Sequence, residues 1–235
     1  GDGSIQFLAK DETCQKKIID YLNTKGMPAY ALTLKSMHTI RKAVIPVAGF
    51  GTRLYPATRT IKKDFFPIVD CDGKVKPVIL ILLEELVKSG IEEICLVLGN
   101  EQEREEYRKF FETRLPDEHF NKLKTEDQNY ERHILNIGKR LRYVYQTEKK
   151  GFGHAVSLAS SFAAGEPVLL LLGDTLYKSH IGKPCTLQLI EEYERYNKAM
   201  VSIHSIPLKD VSYYGIMAGH WENREETVMS IDKFC

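Results

Sequence analysis

Ala43-Val44-Ile45-Pro46-Val47-Ala48-Gly49-Phe50-Gly51-Thr52-Arg53-Leu54 is the stretch that decides the fold. Its first half is a short, continuously apolar run of the length of a buried strand. The run empties without a spacer into a turn holding two glycines, then Thr52 and Arg53. Glycine has no Cβ, so backbone N–H groups in such a turn can come close to a ligand. Arginine adds a planar cationic fork that suits phosphate. The natural occupant of this turn is a nucleotide.

Neither common phosphate loop fits. A dinucleotide fingerprint needs a third glycine where this chain has Leu54, and the Gly-Lys-Ser/Thr of a Walker loop is absent. Downstream come Pro56, Thr58 and the run Ile61-Lys62-Lys63-Asp64-Phe65-Phe66-Pro67. Further strand-like runs fall at 93–98, 141–146, 168–172 and 198–206, after a first at 42–47. Helical segments are expected between them, at 77–89 and 154–162. Continuous apolar strands punctuated by helices predict an α/β, Rossmann-like, mostly parallel sheet covered on both faces. The run 78–83 could itself be a buried strand, but Pro77, Glu84, Glu85 and Gly90 tip it to helix. Residues 70–74 read as a hairpin tip. Residues 101–139, dense in charge, read as a solvated helix followed by a mobile helical insertion.

With 235 residues, 43% of them hydrophobic, the chain can bury a substantial core. A net charge of +1 gives no bulk electrostatic reason to expect a nucleic-acid or membrane partner. Cys14, Cys71, Cys95, Cys185 and Cys235 are scattered, without metal spacing, and predict reduced, buried thiols. No signal peptide or long apolar segment is evident, so the expected compartment is cytoplasmic.

Three blocks carry a resemblance. Ala48 to Arg53, Pro56-Ala57-Thr58 and Lys63-Asp64-Phe65-Phe66-Pro67 form the first; Gln146 with Gly151-Phe152-Gly153-His154-Ala155-Val156 the second; the strand ending in Gly173-Asp174 the third. In this order they resemble the sugar-1-phosphate nucleotidyltransferases, and in particular the bacterial UTP–glucose-1-phosphate uridylyltransferases. One departure is the proline expected before the lysine, which here is Lys62; the register favours Lys63 as the phosphate ligand.

The resemblance implies the nucleotide-diphospho-sugar transferase fold and a reaction that joins UTP to a hexose 1-phosphate, glucose 1-phosphate first among them, releasing pyrophosphate. It casts Arg53 and Lys63 as catalytic. Ala48, Gly49, Gly51, Thr52, Gln146, Gly151 and Gly153 would bind the nucleotide, Tyr214 and Gly215 the sugar, and Asp174 a Mg2+ ion. The Gln146 amide offers a donor and an acceptor, which matches the edge of uracil, although an unexceptional surface glutamine is equally compatible. His154 reads as a packing or hydrogen-bonding residue, not as an acid or base. The attacking phosphate is already anionic, so positioning and charge neutralisation suffice.

Residues 40–235 are expected to form this domain, C-terminally incomplete: the family's Glu-Lys-Pro and second metal-binding aspartate would lie beyond Cys235. Residues 1–39 weakly resemble the C-terminal end of a kinase of the galactokinase, homoserine kinase and mevalonate kinase superfamily. They read as a remnant of a fused upstream kinase-like domain or as a packed extension. A domain ending at Cys235 is expected to be less stable than its parent, or to form a homo-oligomer through exposed apolar surface. Three rivals are weighed: a nucleotide-binding or regulatory module without turnover, a dinucleotide-dependent oxidoreductase, and a transferase for dTTP or for glucuronate or galactose 1-phosphate. The oxidoreductase fails on the missing third glycine.

Overall fold

The computed structural model describes residues 40–49 and 51–234, so the expectations for 1–39 lie outside the described residues. Strand β1 (Lys42–Pro46) leads into three 3-10 turns and a hairpin of β2 (Pro67–Val69) and β3 (Val75–Pro77). Helix α1 (Val78–Lys88) and strand β4 (Glu93–Leu98) follow. Then α2 (Glu101–Phe111), α3 (Asp117–Phe120) and α4 (Thr125–Gly138) lead to β5 (Leu141–Tyr145). Helices α5 (Phe152–Ser157) and α6 (Ser160–Ala163) connect to β6 (Val168–Leu170).

The sheet runs β5-β4-β1-β6. Every pairing in it is parallel, with Val44 opposite both Cys95 and Leu170. Because successive side chains point to opposite faces, Val44, Cys95 and Val97 share one face. There they pack with Ala155 and Ala159 of the α5–α6 region, with Val144 and Phe162 at the margin. Ala43, Ile45, Ile94, Leu96 and Leu98 fall on the other face, fully buried. Helix α2 packs on β4 and α4, and α4 on α1. Both faces are covered, which is why these strands carry no polar alternation.

Helix α1 forms over the ambiguous apolar run. Pro77 is its N-cap and Ser89 its C-cap, with Gly90 following at φ 90°. The charged segment 101–139 hides a buried stripe: Tyr107, Phe111, Phe120 and Ile137 are all in the core. So α2 is solvated over most of its surface, as its composition suggests, but is seated by one buried edge. Its apolar residues are few but sit four apart, at 107 and 111, and this spacing puts them on one face. Asn100 caps α2 by accepting the Glu103 N–H at 3.0 Å.

The hairpin tip forms as expected, closed by Gly73 N–H to Asp70 O and Asp70 N–H to Lys74 O, both 2.9 Å. It leaves Cys71 exposed, whereas Cys95 is buried and its thiol is pushed up to about 12 by desolvation. The expectation of buried thiols therefore holds for Cys95 and not for Cys71. Beneath the tip, the buried Lys76 ammonium meets Asp70, Asp72 and Glu84 at 2.7, 2.7 and 2.9 Å.

The chain divides into two units, Gly1–Ile190 and Glu191–Cys235. Helix α7 (Cys185–Tyr196) spans the division. The second unit holds a 3-10 helix at Leu208–Tyr213 and an antiparallel hairpin of β7 (Met217–Trp221) and β8 (Met229–Phe234). The strand expected at 198–206 does not form: the segment is irregular, with Val201 and Ile203 half exposed. An apolar run becomes a strand only beside a partner ladder, and no described strand pairs with it. Among the described residues, no helix is long and apolar enough to cross a membrane.

Candidate functional site

All four parallel strands point their C-terminal ends the same way. At β1 the order reverses: β4 and β5 lie on one side and β6 on the other. Such a switch point opens a crevice beyond the carboxyl ends of the strands. The loops that rim it follow β1, β4, β5 and β6 and carry 48–63, 99–103, 146–154 and 171–174.

The loop after β1 is built around Lys63. Ala48 is buried, Gly49 exposed, and Gly51 sits at φ 64°, ψ 32°, a left-handed conformation that opens the 3-10 helix Thr52–Leu54. A Cβ placed on Gly49 would lie 3.5 Å from Lys63 Nζ. One on Gly51 would meet Thr58 Cγ2 at 2.9 Å and Lys63 Cβ at 3.2 Å. At Gly49 that is ordinary contact, whereas at Gly51 a side chain would crowd Thr58 and the Lys63 stem, and Gly51 must be a glycine on backbone grounds as well. Gly51→Val should weaken nucleotide binding roughly tenfold to a hundredfold, since left-handed strain costs about 1–3 kcal/mol. Titration calorimetry with UTP reads this, with an unchanged far-UV spectrum as control. Undiminished affinity would reduce the loop to a simple turn.

Lys63 Nζ, 13% exposed, lies 3.1 Å from an Asp174 oxygen. Asp174 reaches this position because β6 runs on past its last ladder residue. Leu171 N–H still bonds Val44 O at 3.0 Å, and Gly173 crosses so close to β1 that a Cβ would stand 2.6 Å from Val47 Cγ1. The regular strand ends at Leu170, two residues earlier than the apolar run suggests. Asp174 is 58% exposed, and among the described residues no cluster of three or more His, Cys, Asp or Glu side chains could hold a metal.

Lys62 turns the other way. Its Nζ sits 2.6 Å from Glu103, 3.8 Å from Asp64 and 4.9 Å from the centre of the Tyr107 ring. Lys62 thereby ties the loop to the first turn of α2, while Lys63 faces Asp174. Glu103 carries the tether onward by accepting Gly99 N–H at 3.1 Å. Asp64, fully buried, accepts from the Tyr107 hydroxyl at 3.0 Å, and its other oxygen has no partner.

Burial pushes the Asp64 carboxyl up from 3.8 to about 6, against the pull of Lys62, Lys63 and Tyr107. The folded state then holds this proton more tightly than the unfolded chain does. Its contribution to stability is complete below the unfolded value and is lost as pH rises through about 6. Asp64→Asn removes the titration. The stability of the variant relative to wild type should rise by about 2–3 kcal/mol between about pH 4 and about pH 7.5. Urea melts at the two pH values test this, and a constant difference would contradict it.

Gln146 follows β5, 5% exposed, and its N–H bonds Leu98 O at 2.7 Å. Its side-chain Nε2 donates to Gly151 O at 2.9 Å and lies 3.3 Å from His154 Nδ1. Gly151 caps α5 at φ 91°, ψ −178°, and nothing lies within 4 Å of a Cβ on Gly151 or Gly153. Internal packing gives no reason for a glycine at 153, so both stand open to an approaching ligand. Lys149, adjacent to this turn, donates to Ala48 O at 2.8 Å and so joins the β5 loop to the β1 loop.

The sequence reading therefore has Ala48, Gly49, Gly51, Lys63 and Asp174 together, with Gln146, Gly151 and Gly153 on the neighbouring loop. Thr52 is exposed at the head of its 3-10 helix. The Arg53 side chain lies outside what the structure describes. Tyr214 and Gly215 belong to the second unit, where Tyr214, 61% exposed, ends the Leu208–Tyr213 helix. Sequence reasoning missed Lys149, Glu103 and Tyr107, which no motif marks. A cavity of about 660 Å³ lies away from the loops, between α2, α4 and the edge strand β5, lined in part by Arg104, Glu112 and Tyr143.

Residues 42–233 match the nucleotidyl transferase family. Over 188 residues the chain is 36% identical to a UTP–glucose-1-phosphate uridylyltransferase of Streptococcus pneumoniae, covering 79% of this chain and 60% of that protein. A Streptococcus pyogenes enzyme of the same name is 35% identical over 184 residues, 77% and 58% of the two chains. The chain thus spans about 60% of the length of these relatives. Among solved structures, a UDP-glucose pyrophosphorylase complexed with UDP-glucose superposes with a TM-score of 0.68 at 32% identity, covering 83% and 68%. The UTP-bound enzyme of Acinetobacter baumannii gives 0.69 at 28%, covering 83% and 67%.

Proposed function

The chain belongs to the nucleotidyl transferase family, and we propose that it transfers a uridylyl group from UTP to a hexose 1-phosphate, glucose 1-phosphate first. The observation that carries this reading is the meeting of the Gly49–Gly51 turn, Lys63 and Asp174 at the switch point, with the Gln146 amide on the next loop. An oxygen of the sugar phosphate attacks the α-phosphorus of UTP. The bond to the β-phosphate breaks, and pyrophosphate leaves with its electron pair. No proton has to be removed, so the chain supplies orientation and positive charge.

In this reading the turn from Ala48 to Thr52 holds the nucleotide, with Gly151 and Gly153 passing beneath base and ribose. Lys63 lies between the α-phosphate and the incoming phosphate, and Arg53 meets the departing pyrophosphate. The family resemblance assigns Tyr214 and Gly215 to the sugar. Asp174 fits Mg2+ as a single exposed carboxylate, since that ion usually takes one or two carboxylates along with substrate phosphates and water. When bound there, Mg2+ neutralises phosphate charge.

A thermal-shift panel of UTP, CTP, dTTP, ATP and UDP-sugars tests the assignment. Ligand present at about a hundred times its Kd adds roughly 2.7 kcal/mol of apparent stability. The largest rises should come from UTP and UDP-glucose. Equal shifts with ATP would overturn the uridylyl assignment. Strong UTP shifts without pyrophosphate release in the presence of glucose 1-phosphate would leave a binding module.

A further inference from the structure

The side chain expected to read the base has both of its donor hydrogens committed inside the protein. Gly151 O can only accept, so the Gln146 amide must turn its NH2 group toward it, at 2.9 Å. The same nitrogen lies 3.3 Å from His154 Nδ1. For that contact to be favourable Nδ1 must carry a lone pair, which places the imidazole proton on Nε2. Two fixed acceptors then take the two Nε2 hydrogens, and Oε1 is the amide atom left to face a ligand. Gln146 is 5% exposed, so the amide cannot rearrange freely in solvent.

We infer that His154 is a positioning residue for base selection: with the Gly151 carbonyl it locks Gln146 as a pure hydrogen-bond acceptor. This rests on the uridylyl reading above and adds the mechanism of its selectivity. A lone acceptor pairs with the N3–H of uracil and opposes the N3 lone pair of cytosine. Turning the amide to suit cytosine would set Oε1 against the Gly151 carbonyl and the Nδ1 lone pair. Thymine carries the same N3–H as uracil, so this device separates uracil from cytosine and is blind to the thymine methyl group.

The test measures Kd for UTP, CTP, dTTP and ATP in wild type, His154→Leu and His154→Asn. Leucine removes the acceptor, and the preference for UTP over CTP should fall about tenfold. The UTP to dTTP ratio should stay unchanged. Asparagine can present Oδ1 near the position of Nδ1 and should keep the wild-type preference. If His154→Leu fails to fold, His154→Lys presents a donor instead and should lose the preference to the same degree. A UTP to CTP ratio unaffected in His154→Leu or His154→Lys overturns the inference, as does an equal loss in His154→Asn. In either case wild type still prefers UTP over ATP and the uridylyl reading stands. A wild type that does not distinguish UTP from ATP overturns both.

Discussion

Lys76→Met should destabilise the protein by about 3–5 kcal/mol, the range found when one partner of a buried ion pair is removed. Lys76 is 3% exposed and holds Asp70, Asp72 and Glu84 within 2.9 Å. Burial alone would lower its pKa, but hydrogen bonds to the three carboxylates raise it above the ordinary lysine value. Methionine fills similar space and leaves Glu84, itself buried, with the Tyr130 hydroxyl at 2.8 Å and His133 at 3.3 Å as its partners among the described residues. Asp70 and Asp72 are more exposed and can be hydrated. The uncompensated charge is therefore that of Glu84, and Lys76→Met with Glu84→Gln should recover most of the loss. Urea denaturation of both variants measures this. A single-variant loss under about 1 kcal/mol would mean that solvent reaches the cluster. The cluster also supports the site: β2 follows the Lys63–Phe65 turn after one residue, and Val78 N–H bonds Phe66 O at 3.0 Å.

The parallel sheet was legible because its strands are buried on both faces and so read as unbroken apolar runs. Ala43 to Ile45 and Ile94 to Leu98 are both fully buried. The same signal misled at 198–206, because apolarity states what a segment could bury and not whether a ladder exists beside it. Helix α2 is solvated as its composition suggests, but composition did not show how it is seated. Six of its first eight residues are charged, yet Tyr107 and Phe111 one turn apart are enough to seat it in the core. Composition averages over faces, whereas packing responds to a single face.

At the site, the residues that local backbone geometry demands could be found from sequence. Gly51 and Gly151 both adopt a positive φ, 64° and 91°, and each lies in a short motif that spacing reveals. Partners distant in sequence could not be found this way. Lys62 meets Glu103 across 41 residues and Lys149 meets Ala48 across 101. Nor does the sequence show that Lys62 and Lys63 diverge at the start of the 3-10 turn Lys63–Phe65, one toward α2 and one toward Asp174. The chemistry of Gln146 also changes on folding. Its type offers donor and acceptor alike, but its neighbours use up the donors.

On the proposed uridylyl transfer, Lys63→Met is expected to lower turnover of UTP and glucose 1-phosphate about a thousandfold, the scale seen when a charge aimed at a transferring phosphoryl group is removed. The 3.1 Å contact with Asp174 adds a more specific expectation. While Lys63 is present, the Asp174 carboxylate is neutralised before any phosphate arrives. Without Lys63, and without a divalent cation, that carboxylate faces the triphosphate of UTP with the same sign of charge. In metal-free buffer, therefore, Lys63→Met should bind UTP more weakly than the double variant with Asp174→Asn. Added Mg2+ should reverse the order, because Asp174 then becomes the only one of the two exchanged side chains able to hold the ion. Four titrations give the answer: two variants, each with and without Mg2+. If the double variant is the weaker binder in both buffers, Lys63 and Asp174 act independently, and their contact in the free protein has no bearing on how the phosphates are received.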